Sequence, residues 1–204
     1  MHRVRLIRSM RNSILWMRVK RFEGTAYDID REFPAGGMVS QPSIVSLLSG
    51  IFDADMELNE KQEFWKGALP TSLPKQLKQL GYRTNFWYGG PLTWSSLDHF
   101  IPSVGFDQSF GGPDICGKDA PHTWLGVYDH IFLAEVAKRI EDGRDEKPSF
   151  HFIYTTSHHG PYLLPFEELG FDIDRVMPEM PEHCAATRRT GAAWPRPGMR
   201  ISPR

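Results

Sequence analysis

Residues 36–50 read GGMVSQPSIVSLLSG. The two glycines permit a close backbone approach, and a proline suits the first turn of a helix. The apolar positions that follow predict a buried helix, and Gly50 is the residue type that ends one. Ser40 would then lie just before a helix N-terminus, where unpaired N–H groups favour an anion. Its hydroxyl is either a nucleophile toward a phosphate or sulfate ester or an ordinary N-cap.

Helix and strand patterns alternate after this helix. Residues 53–66 predict a surface loop with a short helix, and Ser72 caps a further predicted helix that ends at Gly81. The apolar positions of that helix are Leu73, Leu77 and Leu80. Residues 84–88 are rich in aromatic side chains and predict a buried strand, which ends at the glycine pair 89–90.

The second half of the chain continues this alternation. Residues 94–101 predict a short helix, and the glycine-rich residues 106–117 predict a loop. An apolar stripe predicts a helix over residues 124–140, with a break at residues 142–143. Residues 150–155 predict a strand.

Alternating helices and strands predict an α/β fold with a mainly parallel sheet and flanking helices. Ligands of such sheets bind at the carboxyl ends of the strands. The segments at these ends, residues 88–90 and residues 157–159, are therefore expected to border the functional site.

Several motifs together resemble those of one enzyme family. The sulfatase branch of the alkaline phosphatase superfamily has Cys, Ser or Thr two residues before Pro-Ser, ahead of Leu-Leu-Thr/Ser-Gly, and residues 40–50 resemble this nucleophile motif. Residues 73–84 resemble the family segment in which a helix leads into a strand. The motifs that resemble the lipoteichoic acid synthase and phosphoglycerol transferase group are Tyr88-Gly89-Gly90, Trp94, Phe100, Gly105-Phe106-Asp107 and residues 154–162. The resemblance implies an alkaline-phosphatase-like fold, incomplete in this chain.

The resemblance also implies roles for individual residues. Ser40 would be the nucleophile and a ligand of a divalent cation that activates its hydroxyl. Trp94 would line the substrate pocket, and His158 and His159 would bind the substrate, with one of them contacting its phosphate and His159 in the better register for that contact. From the residues alone, core packing is an equal alternative for Trp94, and metal binding or a structural role in a loop is open for the histidines. Asp129 is interpreted as a helix or loop partner, not as a ligand.

The cation expected from the resemblance is Mn²⁺, with Mg²⁺, Zn²⁺ or Ca²⁺ as alternatives. Its ligands should include a carboxylate well before Ser40 and an Asp-His pair well after His159, and at most one expected ligand is present. We therefore expect this chain, taken alone, to be catalytically incomplete and to bind the cation weakly. Sulfatases convert the motif residue to formylglycine and need an Arg where this chain has Ile44, which favours an unmodified serine.

These inferences favour a metal-dependent phosphoglycerol transferase domain that acts on a phospholipid- or glycan-derived phosphoglycerol substrate. One alternative is a sulfuric or phosphoric ester hydrolase of the same superfamily. Another is a non-catalytic binding or regulatory remnant of the fold. The resemblance implies an extracytoplasmic location at the cell envelope and leaves membrane association open.

Composition and charge narrow the function further. The chain has 204 residues and a net charge of −1, which is enough length for one domain and gives no case for nucleic-acid binding. No stretch approaches the roughly 20 apolar residues that span a bilayer, and no apolar core of a signal peptide is present. The expected organisation is a basic leader over residues 1–32, a partial catalytic domain over residues 33–178 and an atypical, disordered tail over residues 179–204.

Overall fold

The computed structural model describes residues 39–67, 69–143, 147–160, 164–165 and 168–170. Residues Phe33–His159 form one compact unit, and the fold below is that of its described part. Residues 1–32 and 160–204 belong to a second unit, in which the N–H of Leu169 donates to the carbonyl of Pro165 at 3.0 Å. The expected leader, the expected tail and the glycines at 36–37 lie outside the described residues.

The unit contains five α-helices and three strands among its described residues. The helices are α1 (Ser40–Ser49), α2 (Leu73–Gln79), α3 (Leu97–Ser103), α4 (Gly112–Cys116) and α5 (Asp129–Asp142). The strands are β1 (Arg83–Tyr88), β2 (Gln108–Gly111) and β3 (Ser149–Tyr154). Short 3₁₀ helices cover Leu58–Glu60, Gln62–Lys66 and Trp94–Ser96.

The three strands form a parallel sheet in the order β2-β1-β3. In this register the last residue of β1, Tyr88, lies beside Gly111 of β2 and Tyr154 of β3. The carboxyl ends of the strands therefore meet at one edge. The predicted α/β fold with a parallel sheet and flanking helices is confirmed.

Alternate residues of β1 face opposite sides of the sheet, as the strand period of two requires. Phe86 and Tyr88 pack with apolar residues of α1 and α3. Trp87 packs on the other side with residues of α4 and α5. β1 thus separates two apolar cores, which explains why residues 84–88 read as a continuous buried run.

Helix α1 begins at Ser40, two residues before the position that we expected to be the first helical one. Ser40 is therefore in the first turn, and Val39 holds the N-cap position without a side-chain cap. The other end agrees with prediction, because Gly50 closes the helix in the left-handed region at φ 74°. The apolar positions Val45 and Leu48 are buried as expected.

Helix α2 differs from the prediction in its cap and its buried face. Ser72 holds the N-cap position, but its hydroxyl donates to the carbonyl of Val104 and does not cap the helix. Leu73 and Leu80 are 37% and 72% exposed, so two of the three leucines of the predicted apolar stripe lie at the surface. The buried Ser72 and Pro74 anchor the helix start instead.

The prediction of a loop over residues 106–117 is wrong. This stretch forms β2 and α4, because its backbone pairs with β1 along the whole of β2. Pairing with a strand that lies far away in sequence leaves no mark in local propensity. Helix α5 also begins later than expected, at Asp129, since residues 121–127 turn back toward the end of β1. Within the described residues, no helix has the length and apolar character needed to cross a membrane.

Candidate functional site at the carboxyl ends of the strands

A cleft of about 430 Å³ opens at the carboxyl ends of β1 and β3. It is called the Ser40 cleft below, and it is lined by Val39, Ser40, Gln41, Tyr88, Trp94, Trp124, Leu125, Tyr154, Thr155, Thr156, His158 and His159. The four residues singled out from the sequence, which are Ser40, Trp94, His158 and His159, all lie in this lining. The parallel pairing of β1 and β3 brings Tyr88 and the turn that carries the histidines together, and the start of α1 adds Ser40 to the same cavity.

Ser40 is exposed to solvent in the first turn of α1. The N–H groups of a first helical turn lack intrahelical partners and carry partial positive charge. No acidic side chain occupies this turn to neutralise that charge. The surroundings of the Ser40 hydroxyl therefore favour an anionic group in the cleft.

Aromatic rings form one wall of the cleft. The ring of Trp94 lies 5.5 Å from that of Tyr88, which stacks on Tyr154 at 5.2 Å and 15°. Burial raises the pKa of Tyr88 above its usual range, and the neighbouring Tyr154 raises it further, so the Tyr88 phenol stays neutral. Trp94 is half-buried and also packs against the core, so it lines the cleft and packs in the interior at once.

The two histidines follow β3 in a turn and are both exposed. The N–H of His159 donates to the carbonyl of Thr156 at 3.3 Å, which shapes this turn. The imidazole of His159 meets Trp124 edge-on, with ring centroids 5.1 Å apart and an interplanar angle of 81°. The turn thus presents both imidazoles at the cleft.

Asp129 holds the turn that carries the histidines. Its Oδ1 accepts the N–H groups of Thr156 and Ser157, each at 3.0 Å. In return the Ser157 hydroxyl accepts the N–H of Asp129 at 2.9 Å, at the start of α5. Asp129 is therefore a loop partner, as the sequence analysis predicted.

The residues of the Ser40 cleft do not by themselves fit a catalytic cation. Among the described residues, its lining provides a serine hydroxyl and two imidazoles, but no carboxylate or thiolate. Throughout the part of the chain that the structure describes, no three His, Cys, Asp or Glu side chains are grouped closely enough to hold a metal ion. Divalent metal sites in enzymes use several such ligands together.

A family model described as Sulfatase matches residues 31–175, which is more than half of the chain. The chain belongs to the sulfatase family. The motif residues of the Ser40 cleft, including Ser40 and both histidines, all fall within the matched segment.

Curated relatives of this sulfatase-family chain include two bacterial proteins. Phosphoglycerol transferase I of Escherichia fergusonii is 33% identical over 89 residues, which are 42% of this chain and 12% of the relative. The capsular polysaccharide biosynthesis protein RkpI of Rhizobium meliloti is 24% identical over 158 residues, which are 76% of this chain and 27% of the relative. The chain therefore spans a minor part of the length of the curated relatives it matches.

Solved structures share the fold of this sulfatase-family chain. The lipoteichoic acid synthase LtaP from Listeria monocytogenes matches with a TM-score of 0.55 and 17% identity, over 69% of this chain and 34% of that one. A protein of the alkaline phosphatase superfamily from Vibrio parahaemolyticus matches with a TM-score of 0.53 and 25% identity, over 64% of this chain and 32% of that one. The expected membership of the alkaline phosphatase superfamily is confirmed.

Several residues of the Ser40 cleft were not singled out from the sequence. Tyr154 lies at the end of β3 beside Tyr88, which was already expected at the border of the site, so the position of Tyr154 follows from the parallel order of the sheet. Gln41 follows Ser40 in the motif of residues 40–50, so that motif was the signal that could have identified it. Trp124 had no such signal, because contacts between residues distant in sequence bring its loop to the cleft.

Proposed function

We propose that this sulfatase-family chain supplies the nucleophile and a substrate-binding wall of a phosphoglycerol transferase. The observation that carries the proposal is that Ser40, at the positive end of α1, shares one cleft with His158 and His159. A relative named Phosphoglycerol transferase I, at 33% identity, supports the choice of reaction. The substrate would be a phosphodiester derived from a phospholipid or a glycan.

The proposed reaction has two displacements at phosphorus. The Ser40 oxygen forms a bond to phosphorus while the bond to the donor alcohol breaks, and the serine proton passes to the released alcohol. An acceptor hydroxyl then attacks the glycerophosphoryl-serine, forms the new ester and returns a proton to Ser40. Atoms and charge balance in both steps, and no water is consumed.

The remaining cleft residues have binding roles in this proposal. His158 and His159 donate hydrogen bonds to the non-bridging phosphate oxygens, which fits their exposed position in one turn. The N-terminal turn of α1 adds positive potential on the same group. Trp94 forms the apolar wall against which the carbon chain of the glycerol rests.

We also propose that transfer needs a divalent cation, with Mn²⁺ first and Mg²⁺, Zn²⁺ or Ca²⁺ as alternatives. A cation of this kind would lower the charge of the phosphodiester and activate a hydroxyl. Because the described residues do not form a metal centre, this chain alone is expected to bind substrate groups without efficient turnover.

A hydrolase of sulfuric or phosphoric esters is the second candidate, since the matching family model is named for sulfatases. Ile44 stands where the maturation of sulfatases needs an arginine, which supports an unmodified Ser40 and phosphoryl chemistry. Mass spectrometry of the Ser40 peptide tests for the sulfatase form of this candidate, because conversion of serine to formylglycine changes the mass of the peptide. A non-catalytic role as a binding or regulatory domain is favoured because the described residues contain no group of His, Cys, Asp or Glu side chains that could hold a metal ion.

The proposed substrate places the protein at the cell envelope, on the extracytoplasmic side, with association to a membrane through its lipid-derived donor. The relatives named for phosphoglycerol transfer, capsular polysaccharide and lipoteichoic acid synthesis support an envelope role. A nucleic-acid partner is not proposed, because the net charge is −1.

The proposal is tested by titrating the chain with glycerol 1-phosphate and following the histidine ring signals by NMR. We expect saturable shifts of His158 and His159, and an affinity about fivefold weaker in His159→Ala, the cost of one charge-assisted hydrogen bond. His130→Ala is the matched control, because His130 is exposed on α5 and does not line the cleft. If His159→Ala leaves the affinity for glycerol 1-phosphate as unchanged as His130→Ala does, the proposed site is refuted.

Turnover is measured separately with a nitrophenyl ester of glycerol phosphate and added Mn²⁺. We expect little turnover from this chain and none from Ser40→Ala. Rapid turnover that Ser40→Ala abolishes would support Ser40 as the nucleophile and refute the proposed incompleteness. Turnover that survives Ser40→Ala would refute the nucleophile.

A further inference from the structure

Asn59 is a fully buried amide behind the Ser40 cleft. Its Oδ1 accepts a hydrogen bond from the Gln41 Nε2 at 2.8 Å. Its Nδ2 donates to the main-chain carbonyl of Ser95 and to the Ser95 Oγ, the latter at 3.1 Å. A carbonyl only accepts, so the contact with Ser95 fixes the orientation of both amides. All three hydrogen bonds of the Asn59 side chain are therefore committed to these two residues.

These two residues belong to different walls of the cleft. Gln41 follows Ser40 in α1 and lines the cleft itself. Ser95 follows Trp94, which lines the cleft from the other segment. Asn59 does not line the cleft, so it touches both walls from behind.

The Trp94 segment is conformationally strained. Ser95 and Ser96 have φ values of 53° and 52°, in the left-handed region that non-glycine residues rarely adopt. Such a backbone conformation is unfavourable and persists only where surrounding contacts hold it. The Asn59 amide supplies such contacts to the backbone and the side chain of Ser95, and Glu60 accepts from the Ser95 hydroxyl at 3.1 Å.

Asn59 is itself held in place. The indole Nε1 of Trp65 donates to the main-chain carbonyl of Asn59 at 2.7 Å. Asn59 lies in the 3₁₀ helix Leu58–Glu60. That helix is anchored by Asp53, whose carboxylate oxygens accept the N–H groups of Glu57 and Leu58. A rigid support behind both walls can transmit a fixed spacing between them.

We propose that Asn59 is a positioning residue that sets the spacing between the Ser40 end of α1 and Trp94. It acts through Gln41 on one wall and through the strained Ser95 on the other. The inference deepens the proposed function, because the spacing would define the width of the phosphoglycerol site. The positioning itself is independent of the chemistry at Ser40.

The test uses Asn59→Asp in the full chain, labelled with 5-fluorotryptophan. Aspartate has the same shape and keeps an acceptor for Gln41, but it has no N–H to donate to the Ser95 carbonyl. We expect the ¹⁹F resonance of Trp94, assigned with Trp94→Phe, to shift and broaden while that of Trp87 stays unchanged. Thr84→Val is the control, since it removes a buried hydroxyl that bonds to Asp107 at the other end of β1.

Thr84→Val is expected to lower stability without moving the Trp94 signal. An unchanged Trp94 signal in folded Asn59→Asp would overturn the proposal, as would an equal change in Thr84→Val. If Asn59→Asp does not fold, Ser95→Ala serves instead, because alanine removes the Oγ contacts with Asn59 and Glu60 while the backbone keeps its strained φ. It too must broaden the Trp94 resonance, and a sharp unchanged line would refute the proposal.

Glycerol 1-phosphate binding provides the second measurement. Asn59→Asp should weaken it about fivefold to tenfold and Thr84→Val less than twofold. Equal affinity in Asn59→Asp and the unmodified chain would refute the link between the spacing and the site. A shifted Trp94 signal in a protein that binds no glycerol phosphate at all would retain the positioning role and refute the proposed function.

Discussion

Asp129 holds the turn that borders the Ser40 cleft, although its own side chain does not line the cleft. It accepts two main-chain N–H groups from the turn after β3 and lies at the first residue of α5. The two N–H groups belong to Thr156 and Ser157, which are buried and separated from water. Without an acceptor they would bear a desolvation cost, and the turn that presents His158 and His159 would lose its anchor.

Replacing this carboxyl group is expected to reduce the free energy of unfolding. Asp129→Ala removes the acceptor of both N–H groups and should cost about 2–3 kcal/mol in urea unfolding. Asp129→Asn keeps one side-chain oxygen and should cost about half as much. Asp119→Asn, at an exposed turn residue, is the control and should change stability by less than about 0.5 kcal/mol. A loss in Asp129→Ala no larger than the control's would refute this role.

At the scale of elements, glycines allow three backbone segments to pack closely at the carboxyl end of β1. The carbonyl of Gly89 accepts the N–H of Val127 at 2.9 Å. A Cβ built on Gly126 would lie 2.4 Å from the same oxygen, and one on Gly112 would lie 2.1 Å from it. These positions leave no room for a side chain, because the neighbouring atoms are backbone atoms. The approach brings the loop with Trp124 to the Ser40 cleft.

Adding a methyl group at this junction should be strongly destabilising. Gly126→Ala is expected to lower the free energy of unfolding by more than about 2 kcal/mol, since backbone must move to admit the Cβ. Gly143→Ala is the matched control, because its Cβ would come no closer than 3.1 Å to another atom and its φ is −93°. Equal unfolding midpoints for the two variants would show that the close approach is not required.

At the scale of the whole unit, β1 is joined to β3 by a polar contact beneath the core. The Trp87 Nε1 donates to the Nδ1 of His151 at 3.0 Å, and the His151 Nε2 lies 2.9 Å from the Ser149 hydroxyl. Burial lowers the pKa of His151, and the positive charge of Arg83 lowers it further. A proton on Nδ1 would face the indole N–H, so the neutral ring is the form that fits.

Stability should therefore depend on pH through His151. The folded-state pKa lies below the ordinary value of 6.5, so the contribution is complete above pH 6.5 and is lost as pH falls toward the lowered pKa. Urea unfolding between pH 7.5 and pH 5 should show this loss, and His151→Gln should reduce it. His130→Gln, on the exposed face of α5, should retain the full pH dependence.

The carboxyl group of Asp107 contributes to the pH dependence of stability in a lower pH range, so it does not interfere with the measurement on His151. Burial opposes its ionisation, but hydrogen bonds from Lys78 and Thr84 outweigh it and lower the pKa of Asp107 below 3.8. Its stabilising effect is present above that value and is lost only below it. An identical pH profile for His151→Gln and the unmodified chain above pH 5 would refute the role of His151.

Local sequence determined the parts of the molecule that depend on nearby residues. The aromatic run of β1, the strand before His158 and the Gly50 end of α1 followed from strand period and cap chemistry. The position of the histidines at the carboxyl edge of the sheet was expected from the sequence, and their meeting with Ser40 at one cleft was implied by the resemblance of residues 40–50 and 154–162 to the family motifs. Their chemical roles are proposals that rest on that meeting.

Tertiary structure alone decided the features that depend on distant partners. β2 and α4 form within a glycine-rich stretch because β1 pairs with it and Gly89 packs against it. Ser72 does not cap α2 as expected, because its hydroxyl donates to the main-chain carbonyl of Val104, which is distant in sequence. The link from Gln41 through Asn59 to Ser95 joins three segments of the chain. Pairing energy between residues far apart in sequence has no local signature, and only the folded chain reveals which partners meet.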